Sequence, residues 1–473
     1  MNSNALILLG ALLGLFIGFP LGVKALRSRA SRRKKVYIGM TLALLSCSLL
    51  GGISVGWSMR HPQSYTLEPT PLSVQSQVIA HEWSEQDPHG SRFSLSGRDG
   101  TEHWRSQDQC IQPGSGLFAL ANGTLYQRGV IPEQQEICIR ASRLSDGTEL
   151  WSRTIKSSQS PENLHSSSLR RDHILAAHGK LYLQIDEMFY ELDARDGKIL
   201  NIIKPGISGH DDAVFSDFAT NDEVLVLTYS IMSDVYDDKN GALQDIFVVL
   251  HISDGNVLWK SSRRAYQQLI ALQGNTLYTQ QNGVLVALRV RDGSALWQSD
   301  LPGGGIVTSS ASRDRVYVRA QNAAGSSKAC VYALDAQNGH ILWKIPVGTW
   351  SGEAPVEANG VTYIADTNSF SALEASTGHL LWQYKQEPFS STAIAFNPYD
   401  VISFSQPVVV DGVVFVSNTF APSFPPPLRL LPNFCLGQCR PIIGIFALRA
   451  SDGKLYWYHQ IRAQVELLAA YES

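Results

Sequence analysis

Apolar residues in this chain follow two patterns. Two long uninterrupted runs open it, residues 4–23 (NALILLGALLGLFIGFPLGV) and residues 36–58 (VYIGMTLALLSCSLLGGISVGWS), neither with a charged residue. Each is long enough to cross a bilayer core as a helix, which takes about 20 residues. Beyond residue 60 the apolar runs are short, alternate with polar positions and are punctuated by glycine, so they predict strands and hairpins.

One motif recurs through that second part. Its plainest copy is residues 333–343 (ALDAQNGHILW). Seven others sit at 94–104, 142–151, 191–200, 249–259, 287–297, 372–382 and 447–457, with glycines Gly100, Gly147, Gly197, Gly255, Gly293, Gly339, Gly378 and Gly453. Tryptophan follows the glycine by four in seven copies: Trp104, Trp151, Trp259, Trp297, Trp343, Trp382 and Trp457. The third copy carries Asn201 there. Asp-Gly or Asn-Gly between two β-rich runs predicts a tight hairpin with positive φ at the turn. A large apolar plate at one fixed place per repeat is expected to pack between neighbouring units.

A second hairpin precedes most copies, as in residues 407–416 (PVVVDGVVFV), 174–183, 355–364 and 270–278. Two hairpins make four strands per repeat, and the glycines recur about every 50 residues, the size of a propeller blade. The predicted fold is an all-β propeller of eight four-stranded blades, with seven as the fallback, preceded by two transmembrane α-helices. The predicted division is a membrane anchor over 1–60 with a basic cytoplasmic loop at 24–35, a linker over 61–79 and the propeller over 80–473. The tail after the last copy, residues 462–471, is expected to give a strand to the first blade and close the ring, leaving no open edge.

The A-L-D-A-x-x-G-x-x-L-W pattern resembles the tryptophan-docking repeats of the pyrroloquinoline-quinone-like (quinoprotein-type) propeller superfamily, over roughly residues 80–473. That superfamily includes quinone-dependent alcohol dehydrogenases and the B subunit of the outer-membrane β-barrel assembly machinery, and many members hold no cofactor. The resemblance implies an adjacent Cys-Cys pair beside the quinone in the dehydrogenases. This chain has six cysteines and no adjacent pair. No cofactor is therefore expected; pyrroloquinoline quinone with calcium belongs only to the alternative reading, a quinone-dependent oxidoreductase.

Charge orients the chain. Residues 1–60 hold eight basic residues and no acidic one, while the remainder carries 31 basic against 42 acidic residues, a net of −11. Seven of the eight lie between the two apolar runs, which places that loop in the cytoplasm and the propeller outside it, on a multi-pass cell-membrane protein. The first run lacks the charged start of a signal peptide. Leu44-Leu45-Ser46-Cys47 loosely matches a lipoprotein signal, but the apolar run continues past it. An acidic body repels phosphate backbones, so no nucleic-acid partner is expected. The expected partners are the membrane, through the two helices, and a protein.

In an oxidising space disulfides persist. Cys435 and Cys439 form a candidate disulfide, Cys110 and Cys138 a second, and one thiol is left over. A metal at Cys435-x3-Cys439 lacks a second ligand pair. Residues 418–444 form a proline-rich apolar insertion whose Phe424, Leu430, Leu431 and Phe434 make a candidate interaction loop. A second insertion around residues 233–241 is acidic but fails EF-hand spacing, since Tyr236 and Phe247 stand where carboxylates are needed. His210, Asp211, Asp212 and Asp217 form the densest His/Asp cluster and read as solvent-facing polarity. No catalytic or metal residue is expected. The leading expectation is a non-catalytic scaffold for protein interaction or ligand binding.

Overall fold

The computed structural model describes residues 64–66, 76–83, 90–107, 118–131, 134–158, 174–186, 188–203, 213–221, 223–231, 244–262, 267–281, 284–301, 306–321, 328–348, 353–366, 369–385, 401–421, 444–461 and 464–472. The apolar runs at 4–23 and 36–58 and the basic stretch 24–35 lie outside them. Among the described residues no helix is long and apolar enough to cross a membrane.

The chain builds eight antiparallel sheets in sequence order, the blades of an all-β propeller. Seven of these sheets are four-stranded meanders, and the blade 8 sheet has six strands, adding Ser64–Thr66 and Val401–Phe404 to its meander. Blade 6, for example, runs Ile306–Ala311, Arg315–Gln321, Lys328–Asp335 and Ile341–Gly348. Third strands such as Val284–Arg289 are almost wholly buried, whereas outer strands such as Ala295–Asp300 alternate between exposed and half-buried. That alternation is the period-2 pattern of a strand with one face covered.

The ring closes as the tail predicts. Gln464–Glu472, from the extreme C-terminus, pairs with Ser76–Trp83 and becomes the first strand of blade 1. The linker expected over 61–79 is partly strand. Blade 1 starts at Ser76, and Ser64–Thr66 pairs along the outer strand of blade 8 at Trp457–His459. These short segments lack the alternating repeat signal, and only the neighbouring edge recruits them.

Two kinds of turn join the strands. The first-to-second-strand hairpins at Asn122-Gly123, His178-Gly179, Asn359-Gly360 and Asp411-Gly412 have positive φ at both positions, the two-residue geometry that matches strand twist. The motif turns differ from the tight hairpin expected of them. Only the glycine has positive φ, near 70°, and its N–H returns to the carbonyl four residues back, as Gly147 to Arg143 at 2.9 Å. The aspartate before it keeps ordinary φ, and its carboxylate accepts the N–H two residues on, as Asp146 from Thr148 and Asp292 from Ser294, both 2.9 Å. Side-chain capping of this kind favours Asp and Asn in turns.

The core is a set of layers rather than one centre. Eight apolar clusters lie one to each seam between blades, such as Tyr278, Leu285, Val316 and Leu334 between blades 5 and 6. Each such side chain contributes ~1.5–3 kcal/mol by leaving water.

Candidate functional site

The tryptophans sit in those seams. Each projects from the outer strand of its blade onto the motif glycine of the next. Trp104 lies against Gly147, Trp297 against Gly339 and Trp382 against Gly453. A methyl at the seven covered glycines would come within 2.4–3.0 Å of ring atoms, so glycine is needed there for close approach as well as for φ. Every indole N–H donates to a carbonyl of the next blade over 2.7–3.1 Å: Trp104 to Leu144, Trp151 to Ala194, Trp259 to Val290, Trp297 to Ala336, Trp343 to Ala375, Trp382 to Ala450 and Trp457 to Gly97. The seven residues therefore occupy seven separate places around the ring and form no common site. Trp457 is fully buried and locks blade 8 to blade 1.

Polar groups also cross the seams, and these the repeat pattern does not announce. Glu357 in blade 7 accepts from Arg315 at 3.0 Å, Tyr317 at 2.6 Å and Ser312 at 2.7 Å, all in blade 6. Burial and the Glu357 carboxylate push the Tyr317 phenol far above its ordinary value. Arg319 is 1% exposed and donates to the carbonyls of Gly348 and, across the seam, Ala365. Burial lowers its pKa, against the opposing pull of Asp366 and Glu353. Burial likewise draws Arg128 down to about 10. Asp366 accepts Gly348 N–H at 2.8 Å, and Asp186 in blade 3 accepts Ser158 N–H of blade 2 at 2.7 Å. One signal in the sequence marks Arg319: a charge placed between the apolar run Val316-Tyr317-Val318 and Ala320.

Topology separates the two ends of the ring. In an antiparallel meander the first-to-second and third-to-fourth connections share one end, and here they are short turns. The second-to-third connections and the crossings to the next blade share the other end. Second-to-third connections range from the step between Ile185 and Met188 to the stretch between Ala421 and Gly444. Both insertions leave from that end, one from blade 4 between Ile231 and Gln244, one from blade 8. Blades 4 and 8 are half a turn apart in an eight-blade ring.

The base of the blade 8 insertion is fixed. Asn418 is 1% exposed, and its Oδ1 accepts the Gly444 N–H at 2.9 Å. A side chain at Gly444 would meet the His459 carbonyl at 2.0 Å. Phe424, Leu430, Leu431, Phe434, Cys435 and Cys439 lie outside the described residues, as do the acidic insertion at 233–241, His210, Asp211, Asp212 and Cys110. Asp217 falls on the first strand of blade 4, Ala213–Thr220, beside a register shift. Cys138 is disulfide-bonded and Cys330 is a buried thiol.

A model of the family described as outer membrane protein assembly factor BamB matches residues 211–303 and 281–468. The chain belongs to that family. Solved structures similar to this BamB-family chain include BamB from Moraxella catarrhalis, 12% identical over 76% of this chain and 98% of that one, TM-score 0.46. Quinohemoprotein alcohol dehydrogenase ADHIIG from Pseudomonas putida HK5 is 14% identical over 75% of this chain and 71% of its own, TM-score 0.46. Dihydro-heme d1 dehydrogenase NirN in complex with DHE is 10% identical over 86% of this chain and 79% of its own, TM-score 0.50. At such identities the likeness is one of fold. No curated protein matches the chain.

The quinone implied for dehydrogenases of this fold calls for an adjacent cysteine pair. No two of the six cysteines here are adjacent. Cys330 is buried in a third strand of blade 6, and Cys138, in blade 2, is already bonded. These residues do not fit that donor set. Among the described residues no group of three His, Cys, Asp or Glu is placed to hold a metal ion.

Proposed function

We propose that this BamB-family chain is a non-catalytic scaffold for protein interaction or ligand binding, held at the cell membrane by helices over 4–23 and 36–58 and displayed on the extracytoplasmic side. The observation that carries the reading is the asymmetry of the ring. One end is tight turns, while the other sends out every variable connection, including two insertions half a turn apart. Rigid strands below variable loops are the arrangement by which propellers present binding surfaces. The basic stretch 24–35 supports the orientation through the positive-inside rule, and the bonded Cys138 suits an oxidising compartment.

The insertion at 422–443 is the proposed contact arm, with Phe424, Leu430, Leu431 and Phe434 as its apolar groups. Photo-crosslinkers at Leu430 and Phe434 in the full chain, in its native membrane, test this. One discrete adduct, absent when 422–443 is replaced by a short Gly-Ser link, is the expected result. Adducts that do not depend on the insertion would overturn the assignment of the arm. Saturable binding of pyrroloquinoline quinone with calcium, accompanied by dye reduction with alcohols, would overturn the scaffold itself.

A further inference from the structure

The strand that Ser64–Thr66 adds to blade 8 fixes where the chain arrives at the ring. Ser64 pairs with His459, Tyr65 with Tyr458 and Thr66 with Trp457. The strand they join, Leu455–Gln460, starts at the motif turn and runs to the variable end, where the chain crosses to blade 1. The pairing is antiparallel, so residues 64–66 run the other way, from the variable end toward the tight-turn end. The next described stretch agrees. Blade 1 takes up the chain at Ser76, whose carbonyl accepts the Gly97 N–H at 2.7 Å beside the blade 1 motif turn, at the tight-turn end. Residue 63 therefore leads into the ring at the rim of its variable end.

Little chain separates that rim from the second apolar run, which ends at residue 58. Residues 59–63 and the step to Ser64 reach ~20 Å at full extension. The ring wall is about as tall, since an outer strand such as Leu455–Gln460 rises ~20 Å. With the tight-turn end toward the bilayer, residues 59–63 would have to climb the whole wall and then reverse into Ser64, and the climb alone exhausts their reach. With the variable end toward the bilayer, the same residues cross a short gap with slack to spare.

We propose that the ring stands with its variable end toward the bilayer that anchors it, so that the partner its loops address is an integral protein of that same membrane. The inference rests on the membrane-anchored scaffold reading and deepens it by naming the class of partner. A partner in bulk solution would meet the short turns instead. Trp83 lies at the same variable rim, on the adjoining blade 1, where it ends the second strand half-buried and stacked on His81 at 5.3 Å. Tryptophan, with an apolar ring and one polar N–H, suits a membrane–water boundary.

The test uses the full chain in phosphatidylcholine vesicles that carry an acceptor dye on a lipid headgroup. A donor dye is attached through a single non-natural residue at Gln321 or Gln337 in blade 6, or at Lys156 or Ser145 in blade 2, all exposed positions. Gln321 and Lys156 lie at the variable end, Gln337 and Ser145 at the tight-turn end, and the two blades are half a turn apart. Energy transfer at least about twofold greater at Gln321 and Lys156 is expected, because ~20 Å of strand height separates the two ends. Equal transfer at both ends, the reverse order, or a difference between the blades instead of between the ends (a ring lying on its side) would each overturn the orientation. Vesicle flotation separates this from the anchor: chain that floats with the vesicles and shows one of those patterns loses the orientation alone, whereas chain that does not float loses the anchor and the orientation with it. In the native membrane, a photo-crosslinker at Gln321 should capture a protein that resists alkaline-carbonate extraction when unlinked; a carbonate-released protein would overturn the partner class.

Discussion

Trp457→Ala offers the sharpest test of how the ring is held. Trp457 is 0% exposed, packs on Phe415 at 5.9 Å and donates to Gly97 over 2.8 Å. It thereby joins residues 360 apart in the sequence. Removing a buried tryptophan costs about 3–5 kcal/mol, and leaving the Gly97 carbonyl unpaired adds about 1 kcal/mol at the low end. The total is about 4–6 kcal/mol. Trp104 makes the same kind of bond, to Leu144 at 3.1 Å, but is only half-buried. Its removal therefore costs about 2–3 kcal/mol. Trp457→Phe keeps most of the plate and loses the donor, for about 1–2 kcal/mol. Urea unfolding of the three variants beside the wild type measures the order. A Trp457→Ala midpoint no lower than that of Trp104→Ala would refute the argument that burial at the closing seam sets the difference.

Two further outcomes follow from the same geometry. Gly255→Ala meets only Ile203, at an ordinary van der Waals distance of 3.9 Å, and costs mainly its left-handed φ, about 1–2 kcal/mol, whereas Gly339→Ala also drives a methyl to 2.4 Å from Trp297 and should cost about 3 kcal/mol or more; equal losses in thermal unfolding would show that the ring is not in the way. His459, 3% exposed beside Phe93, has its pKa lowered by burial, with Arg105 acting in the same direction and Glu102 and the Gly100 backbone opposing. The unfolded chain takes up that proton more readily, so this contribution is complete above about pH 6.5 and is lost as pH falls through the folded value. The stability gap between wild type and His459→Gln should accordingly narrow from pH 7.5 to pH 5.5, and a constant gap would exclude the effect.

Much of this architecture is legible along the chain because it is encoded locally. Glycine at a turn, apolar alternation on either side and tryptophan four residues on are short-range signals, and eight copies suffice for eight blades. The C-terminal strand is readable too, since residues 465–471 are mostly apolar and a propeller leaves one strand place to fill. Candidate contacts on the insertions read as composition alone, because exposed apolar groups carry no period. Other features depend on distant chain segments meeting. The carbonyl that receives each indole, the strand made by Ser64–Thr66 on the edge of blade 8, and the burial of Arg319 between the Gly348 and Ala365 carbonyls are all set by which blade lies alongside. The sequence shows that the third repeat has Asn201 in place of tryptophan. Only the folded ring shows that Ile203 lies over the blade 4 glycine in place of an indole, because a seam is made by two blades and each is written in a different stretch of chain.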